Sequence, residues 1–138
     1  MQDPGKYLLP EEPFRILLEK ECRRAERYAN FFSIMMVKSE WLDPESPLLS
    51  TTASLIQGMI RDSDVMGTLQ GTHLVAILHH ADAQNIDEIT VRVRDRIWDQ
   101  NPGLERNPGS QKIRIGGACF PTHASTPQDL LRAAQERL

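Results

Sequence analysis

The sequence predicts an α+β fold: a central, mainly antiparallel sheet with helices packed on it, in the order βααββαβ. Three observations carry this. Segments with apolar residues at helical spacing alternate along the chain with short continuous apolar runs, such as Phe31 to Val37, that suit buried strands. Gln70-Gly71 separates two strand patterns and reads as a tight two-residue hairpin turn, since Gly tolerates the positive φ such a turn needs. The strand after the turn is apolar on both faces, with Leu74, Ala76 and Leu78 on one side and Val75 and Ile77 on the other. Such a strand is central and covered on both sides.

Residues 1–10 look irregular. A helix is expected from Pro13 to Ala29. Pro13 suits a first turn, Glu11 and Glu12 lie at its positive end, and Arg23, Arg24 and Arg27 lie toward its negative end. Phe14, Leu17, Leu18, Cys22, Ala25 and Tyr28 or Ala29 form its apolar stripe. The strand Phe31–Val37 follows, then a Pro-containing loop from Trp41 to Pro47. The next helix starts at Pro47 with Ser46 as N-cap, and its core stripe is Leu49, Ala53, Ile56 and Ile60. After the hairpin, His79-His80-Ala81-Asp82 is a strand end and loop. Ile86, Ile89, Val93 and Ile97 then mark a helix, with Arg92 and Arg96 beside the stripe. Asn101-Pro102-Gly103 and Asn107-Pro108-Gly109-Ser110 make the loop that ends it. Ile113, Ile115, Gly117 and Cys119 alternate as a strand. Thr126-Pro127-Gln128-Asp129 is a capping box that opens the last helix.

At 138 residues this is one domain with room for a hydrophobic core, and 40% hydrophobic and 25% charged residues are ordinary for a soluble globular protein. A net charge of −3 gives no basis for general binding to nucleic acid or anionic membranes. No apolar run approaches a membrane span, and no signal-peptide pattern is present, so the segment is expected in the cytoplasm, alone or as part of a membrane-anchored parent. Cys22 and Cys119 fit buried thiols of a reduced domain.

The stretch Ile60 to Leu78 resembles the signature of the GGDEF family, the bacterial diguanylate cyclase domains. There a helix ends in Arg-x-x-Asp, five residues follow, and a hairpin turn carries Gly-Gly-Asp/Glu-Glu-Phe. Arg61 and Asp64 fit the first motif and Val65 to Leu69 the five residues, while the turn reads Gln70-Gly71-Thr72-His73-Leu74. Arg24-Ala25-Glu26-Arg27-Tyr28 resembles the family's Arg-Ala-x-Arg-Tyr, and Ile115-Gly116-Gly117-Ala118 with Phe120-Pro121 its Ser-Ile-Gly-x-Ala strand. Asp3-Pro4-Gly5-Lys6 keeps only the Asp of the family's opening Asp-x-Leu-Thr, and the chain stops at Leu138 before the family's Ala-Lys ending. The fold the resemblance implies is the ferredoxin-like core of nucleotidyl cyclases.

The same resemblance implies a lost active site. It places metal ligands at Lys38, in Lys38-Ser39-Glu40, and at Thr72. An ammonium repels the divalent ion that such a cyclase needs on its triphosphate, and Glu40 alone cannot rebuild the site. The loop after Trp41 is shorter than the family's and has no counterpart for its guanine contacts. A replacement metal site from His73, His79, His80 and His123 is disfavoured, because adjacent strand residues point to opposite faces; scattered surface histidines are expected. No catalytic residue and no cofactor are therefore expected.

The resemblance also implies a site for cyclic di-GMP at Arg61 and Asp64, with a further arginine from the next helix, Arg92 or Arg96. Guanidinium pairs with phosphate or with guanine O6 and N7, and carboxylate accepts guanine N–H donors. The plainer alternative is that Arg61 offsets a helix dipole and Asp64 stabilises the turn into the strand. The leading expectation is a catalytically inactive regulatory domain of a larger signalling protein that senses cyclic di-GMP. A ligand-free protein-interaction or homodimerisation module is the alternative, and an active cyclase stands last.

Overall fold

Helix α1 (Glu11–Arg27) begins two residues before Pro13, which still falls in the first turn, where a missing N–H breaks no hydrogen bond. Its acidic start and its basic last turn oppose the helix dipole as expected. Phe14, Leu18, Cys22 and Ala25 are buried, but the stripe is narrower than its spacing suggests. Leu17 borders solvent. Tyr28 is 64% exposed, because the helix stops at Arg27 and Ala29 turns away with φ 52. The computed structural model describes residues 8–39, 47–61, 63–70, 73–100 and 113–138, with backbone alone at 39 and 47–49.

Strand β1 (Phe32–Ser39) starts one residue later than expected, leaving Phe31 exposed. Helix α2 (Pro47–Gln57) buries Ala53 and Ile56 and ends before Ile60, which is half-buried beyond it. It is the one helix among the described residues between β1 and β2, where the expected order has two. Ser46 and the Trp41 loop lie outside the described residues, as do the Asp3 to Lys6 turn and the loop residues 101–112. Strands β2 (Val65–Leu69) and β3 (His73–Leu78) form the expected hairpin. Helix α3 (Ala83–Gln100), strand β4 (Ile113–Phe120) and helix α4 (Pro127–Glu136) complete the chain.

The sheet order is β2-β3-β1-β4, and every neighbouring pair is antiparallel. Strand β3 is therefore internal and buried at all six positions, as its two apolar faces require. Ile34, Met36, Val75 and Ile77 pack with α1 and α4 on one face. Met35, Val37, Leu74 and Ala76 pack with α2 and α3 on the other. Phe32 and Phe120 stack across β1 and β4 with centroids 5.3 Å apart.

The hairpin departs from expectation at its tip. Leu69 pairs with His73, so the connection has three residues rather than the two of Gln70-Gly71. The positive φ, 56°, falls on Gln70, whose backbone N–H donates to Glu11 Oε1 at 2.8 Å. That bond and one from Arg15 hold the Glu11 carboxyl below its ordinary value, and they tie the hairpin to the first turn of α1. Gly71 and Thr72 lie outside the described residues. Leu9 bridges Gly67 and covers the free edge of β2 through two backbone bonds, to Met66 and from Thr68. Gly67 permits this approach, since a Cβ there would lie 2.7 Å from Phe14 Cδ1 and 2.9 Å from the Leu9 oxygen.

Candidate functional site: the turn before β2 and the face of α3

Residues beyond Gln57 carry the chain from α2 into β2, and two of them close on each other. Asp64 N–H donates to the Arg61 carbonyl at 2.9 Å, and Arg61 N–H donates to Asp64 Oδ2 at 3.0 Å. Asp64 Oδ1 accepts from His79 N–H at 3.0 Å, which fastens the turn to the end of β3. A short acid that bonds nearby backbone amides in this way is a turn former. The Asp64 side chain is only 6% exposed. The expected turn-stabilising role is present. Arg61 is exposed and stands four residues past Gln57, too far for the helix-dipole role.

This turn and α3 enclose a cleft of about 270 Å³. Arg61 and Asp64 line it from the turn, and Asn85, Glu88, Ile89 and Arg92 line it from α3. The fold thus brings three of the four expected ligand residues together. Arg96, one turn further along α3, does not line the cleft. The start of α3 is set by a pair that carries no apolar periodicity, Asp82 and Asn85. Asn85 N–H donates to Asp82 Oδ1 at 2.7 Å, and Asp82 N–H donates weakly to Asn85 Oδ1 at 3.4 Å. The spacing Asp82-x-x-Asn85 was the available signal for both the cap and the Asn85 position.

The histidines do not behave as scattered surface groups. His79, behind the turn, has Nε2 3.3 Å from Glu21 Oε1 and Nδ1 3.5 Å from Asp64 Oδ1. His73 is buried next to the hairpin tip, and burial together with the Lys38 charge holds its pKa below the ordinary 6.5. His123 Nδ1 accepts from Cys119 N–H at 2.8 Å. His80 alone is exposed. Among the described residues no group of three His, Cys, Asp or Glu side chains is placed to hold a metal ion.

Lys38, Gln70, His73 and Leu74 fall at or beside the sheet end that carries the hairpin. Lys38 is exposed and sits between His73 on β3 and Arg114 on β4, directly opposite each. Leu74 is a core residue of the α2–α3 layer. Glu40 and Thr72 lie outside the described residues.

Comparison with known proteins bears on this arrangement. Solved structures similar to the chain include the GGDEF domain of TpbB (YfiN) from Pseudomonas aeruginosa. It is 23% identical, covers 98% of this chain and 84% of that one, and has a TM-score of 0.70. A DGC protein from Thermotoga maritima is 15% identical over 99% of both chains, with a TM-score of 0.79. The GGDEF domain of DgcB from Caulobacter crescentus, solved in complex with c-di-GMP, is 12% identical over 94% of this chain and 80% of that one, with a TM-score of 0.68. At these identities the likeness establishes the fold. No curated protein sequence matches the chain. Residues 47–138, the part that holds the turn, the hairpin, α3, β4 and α4, match the family model described as "Diguanylate cyclase, GGDEF domain", and the chain belongs to the GGDEF family.

Proposed function

We propose that this chain is a regulatory GGDEF domain that makes no cyclic di-GMP and binds it in the cleft between the Arg61–Asp64 turn and α3. The observation that carries the reading is the convergence of Arg61 and Arg92, from separate elements, on one cleft with the Asp64 carboxylate. Cyclic di-GMP presents phosphates and guanine edges. Guanidinium addresses both kinds of group, and carboxylate accepts from the guanine N–H donors. Each Asp64 oxygen already accepts a backbone N–H, yet each has a second lone pair to offer. The turn former and the ligand contact are therefore the same side chain.

The absence of synthesis is supported by the chemistry at the hairpin. The resemblance implies a carboxylate at Lys38, and the residues there do not fit a divalent ion. Lys38 is a cation, Arg114 opposite it is another, and the nearby His73 offers no anionic oxygen. With no metal held on a triphosphate, attack at its α-phosphate lacks its main source of charge stabilisation.

Calorimetric titration of the 138-residue chain with cyclic di-GMP tests the binding. Arg61→Ala and Arg92→Ala should each weaken it by about ten- to more than a hundredfold, the cost of a lost charge-assisted contact of about 1.5–3 kcal/mol. Arg96→Ala should not. No heat at high micromolar ligand would sink the receptor reading. The interaction module would then take its place, favoured by Ile16 exposed on α1 and Tyr28 exposed just past its end. Incubation with GTP and Mg²⁺ or Mn²⁺ should yield no cyclic di-GMP; any product overturns the inactive assignment.

A further inference from the structure

His79 is the side chain that the ligand site leans on without its touching the ligand cleft. Its backbone N–H donates to Asp64 Oδ1 at 3.0 Å, and its ring stands between two carboxylates, Glu21 of α1 at 3.3 Å and Asp64 at 3.5 Å. All three side chains are withdrawn from water, at 22% exposure for His79, 15% for Glu21 and 6% for Asp64. A neutral imidazole has one N–H and one lone pair, so one of its nitrogens would set a lone pair toward a carboxylate oxygen. The imidazolium presents an N–H to each. Nδ1 makes no aligned hydrogen bond in this arrangement, which leaves it dependent on the charge interaction alone.

We propose that His79, held by Glu21 of α1, is the positioning residue of the Arg61–Asp64 site, and that its proton is linked to occupancy of the cleft by a phosphate-bearing ligand. The linkage rests on the binding function proposed above. With His79 charged, the Asp64 carboxylate is neutralised from behind, and the positive field of Arg61 and Arg92 acts on the ligand phosphates without opposition. With His79 neutral, the Asp64 carboxylate that lines the cleft is no longer opposed from behind and repels an anion. Affinity for the anion therefore falls as pH rises through the titration of His79. By reciprocity, an anionic ligand in the cleft raises the pH at which His79 gives up its proton.

The charged groups around the ring belong to four elements. Helix α1 supplies Glu21 and Arg24, and the turn supplies Arg61 and Asp64. His80 follows in the chain and lines the clefts on both sides of His79, and α3 supplies Glu88 and Arg92 across the ligand cleft. Arg24 opposes the His79 charge and His80 is a second histidine beside it, so a pH profile of affinity alone would not assign the group. A residue-resolved readout does. The arrangement also ties α1 to the ligand site through the Glu21–His79 contact.

The experiment follows the His79 ring resonances by NMR through a pH titration of the free chain and of the chain saturated with cyclic di-GMP. In the free chain, Glu21→Gln and Asp64→Asn should each move the His79 midpoint to lower pH, because each removes an anion from the imidazolium. Glu21→Gln keeps this arm readable if loss of the Asp64 charge disturbs the turn. An unmoved midpoint in Glu21→Gln overturns the positioning role. In the bound chain the midpoint should rise, and wild-type affinity should fall by at least about fivefold across the titration, a typical coupling between linked sites. His79→Asn, which keeps the backbone N–H, should flatten that profile. A chain that binds cyclic di-GMP with no movement of the His79 midpoint overturns the linkage and leaves the receptor function standing. A chain that does not bind it overturns both, while the free-chain arm still reports the Glu21 and Asp64 contacts.

Discussion

His73 and His123 carry their protons reluctantly. Burial holds both below the ordinary 6.5, aided by Lys38 beside His73 and by Arg137 near His123. A histidine whose folded pKa is depressed favours the folded state in its neutral form. The stability it contributes is complete above 6.5 and is lost as pH falls through the folded values. Thermal melts between pH 7.5 and 5 should therefore show a falling midpoint on the acid side. His73→Gln should flatten part of that fall, and a midpoint indifferent to pH would contradict the assignment. Asp64 teaches a related lesson at this scale. A buried acid beside an exposed arginine looks like a ligand pair in sequence, yet its carboxylate first of all satisfies the backbone of Arg61 and His79.

Helix α4 shows how an element can be marked by a local signal and placed by a contact far along the chain. Thr126 Oγ1 accepts from Asp129 N–H at 3.1 Å and Pro127 occupies the first turn, so the N-cap half of the expected capping box is present. The Asp129 carboxylate is engaged instead with Arg132, at 3.4 Å. What seats the helix on the sheet is Gly116 of β4, where a Cβ would land on the Ala134 carbonyl oxygen and within 2.9 Å of the Arg137 backbone. The two features predict different penalties. Thr126→Ala should cost about 1 kcal/mol, the usual value of an N-cap. Gly116→Ala forces backbone apart in a filled layer and should cost about 1–3 kcal/mol or more. Urea denaturation of the two variants reads the order directly, and an equal effect would argue against close seating of α4.

At the scale of the molecule, β1 and β3 serve both layers at once. Residues of β1 alternate between the α1–α4 core and the α2–α3 core, and β3 does the same one strand away. Neither layer can loosen while the other keeps the sheet flat and covered, so the chain should unfold in one transition. Ile77→Ala, at 0% exposure in the first layer, should destabilise the whole by about 2–5 kcal/mol. Melting followed by near-UV and far-UV circular dichroism should coincide before and after the change. Separate transitions would mean that the layers are independent. The turn that carries Arg61 and Asp64 lies between elements of the second layer and is anchored to the end of β3. Ligand binding there should accordingly raise the single melting temperature.

Element type and order were legible in the chain wherever the periodicity was sustained. The apolar faces of β3, the stripe Phe14-Leu18-Cys22-Ala25 and the Pro127 helix start are properties of neighbours in sequence, and the fold preserves them. The Arg61–Asp64 spacing was legible for the same reason. Boundaries were not: α1 stops short of Tyr28 because the chain must turn into β1, and the hairpin takes three residues because Leu69 pairs with His73. The site was half legible. Which arginine of α3 lines the cleft with Arg61 depends on how that helix rotates on the sheet; Arg92 lines it and Arg96 does not. Glu21 and His79 are far apart in sequence, and nothing local marks them as partners, or His79 as the partner of Asp64. Local pattern decided what each segment is. Packing across the sheet decided which of its charges lose their water and which side chains they must answer to, because desolvation is a property of the assembled layers and not of any segment.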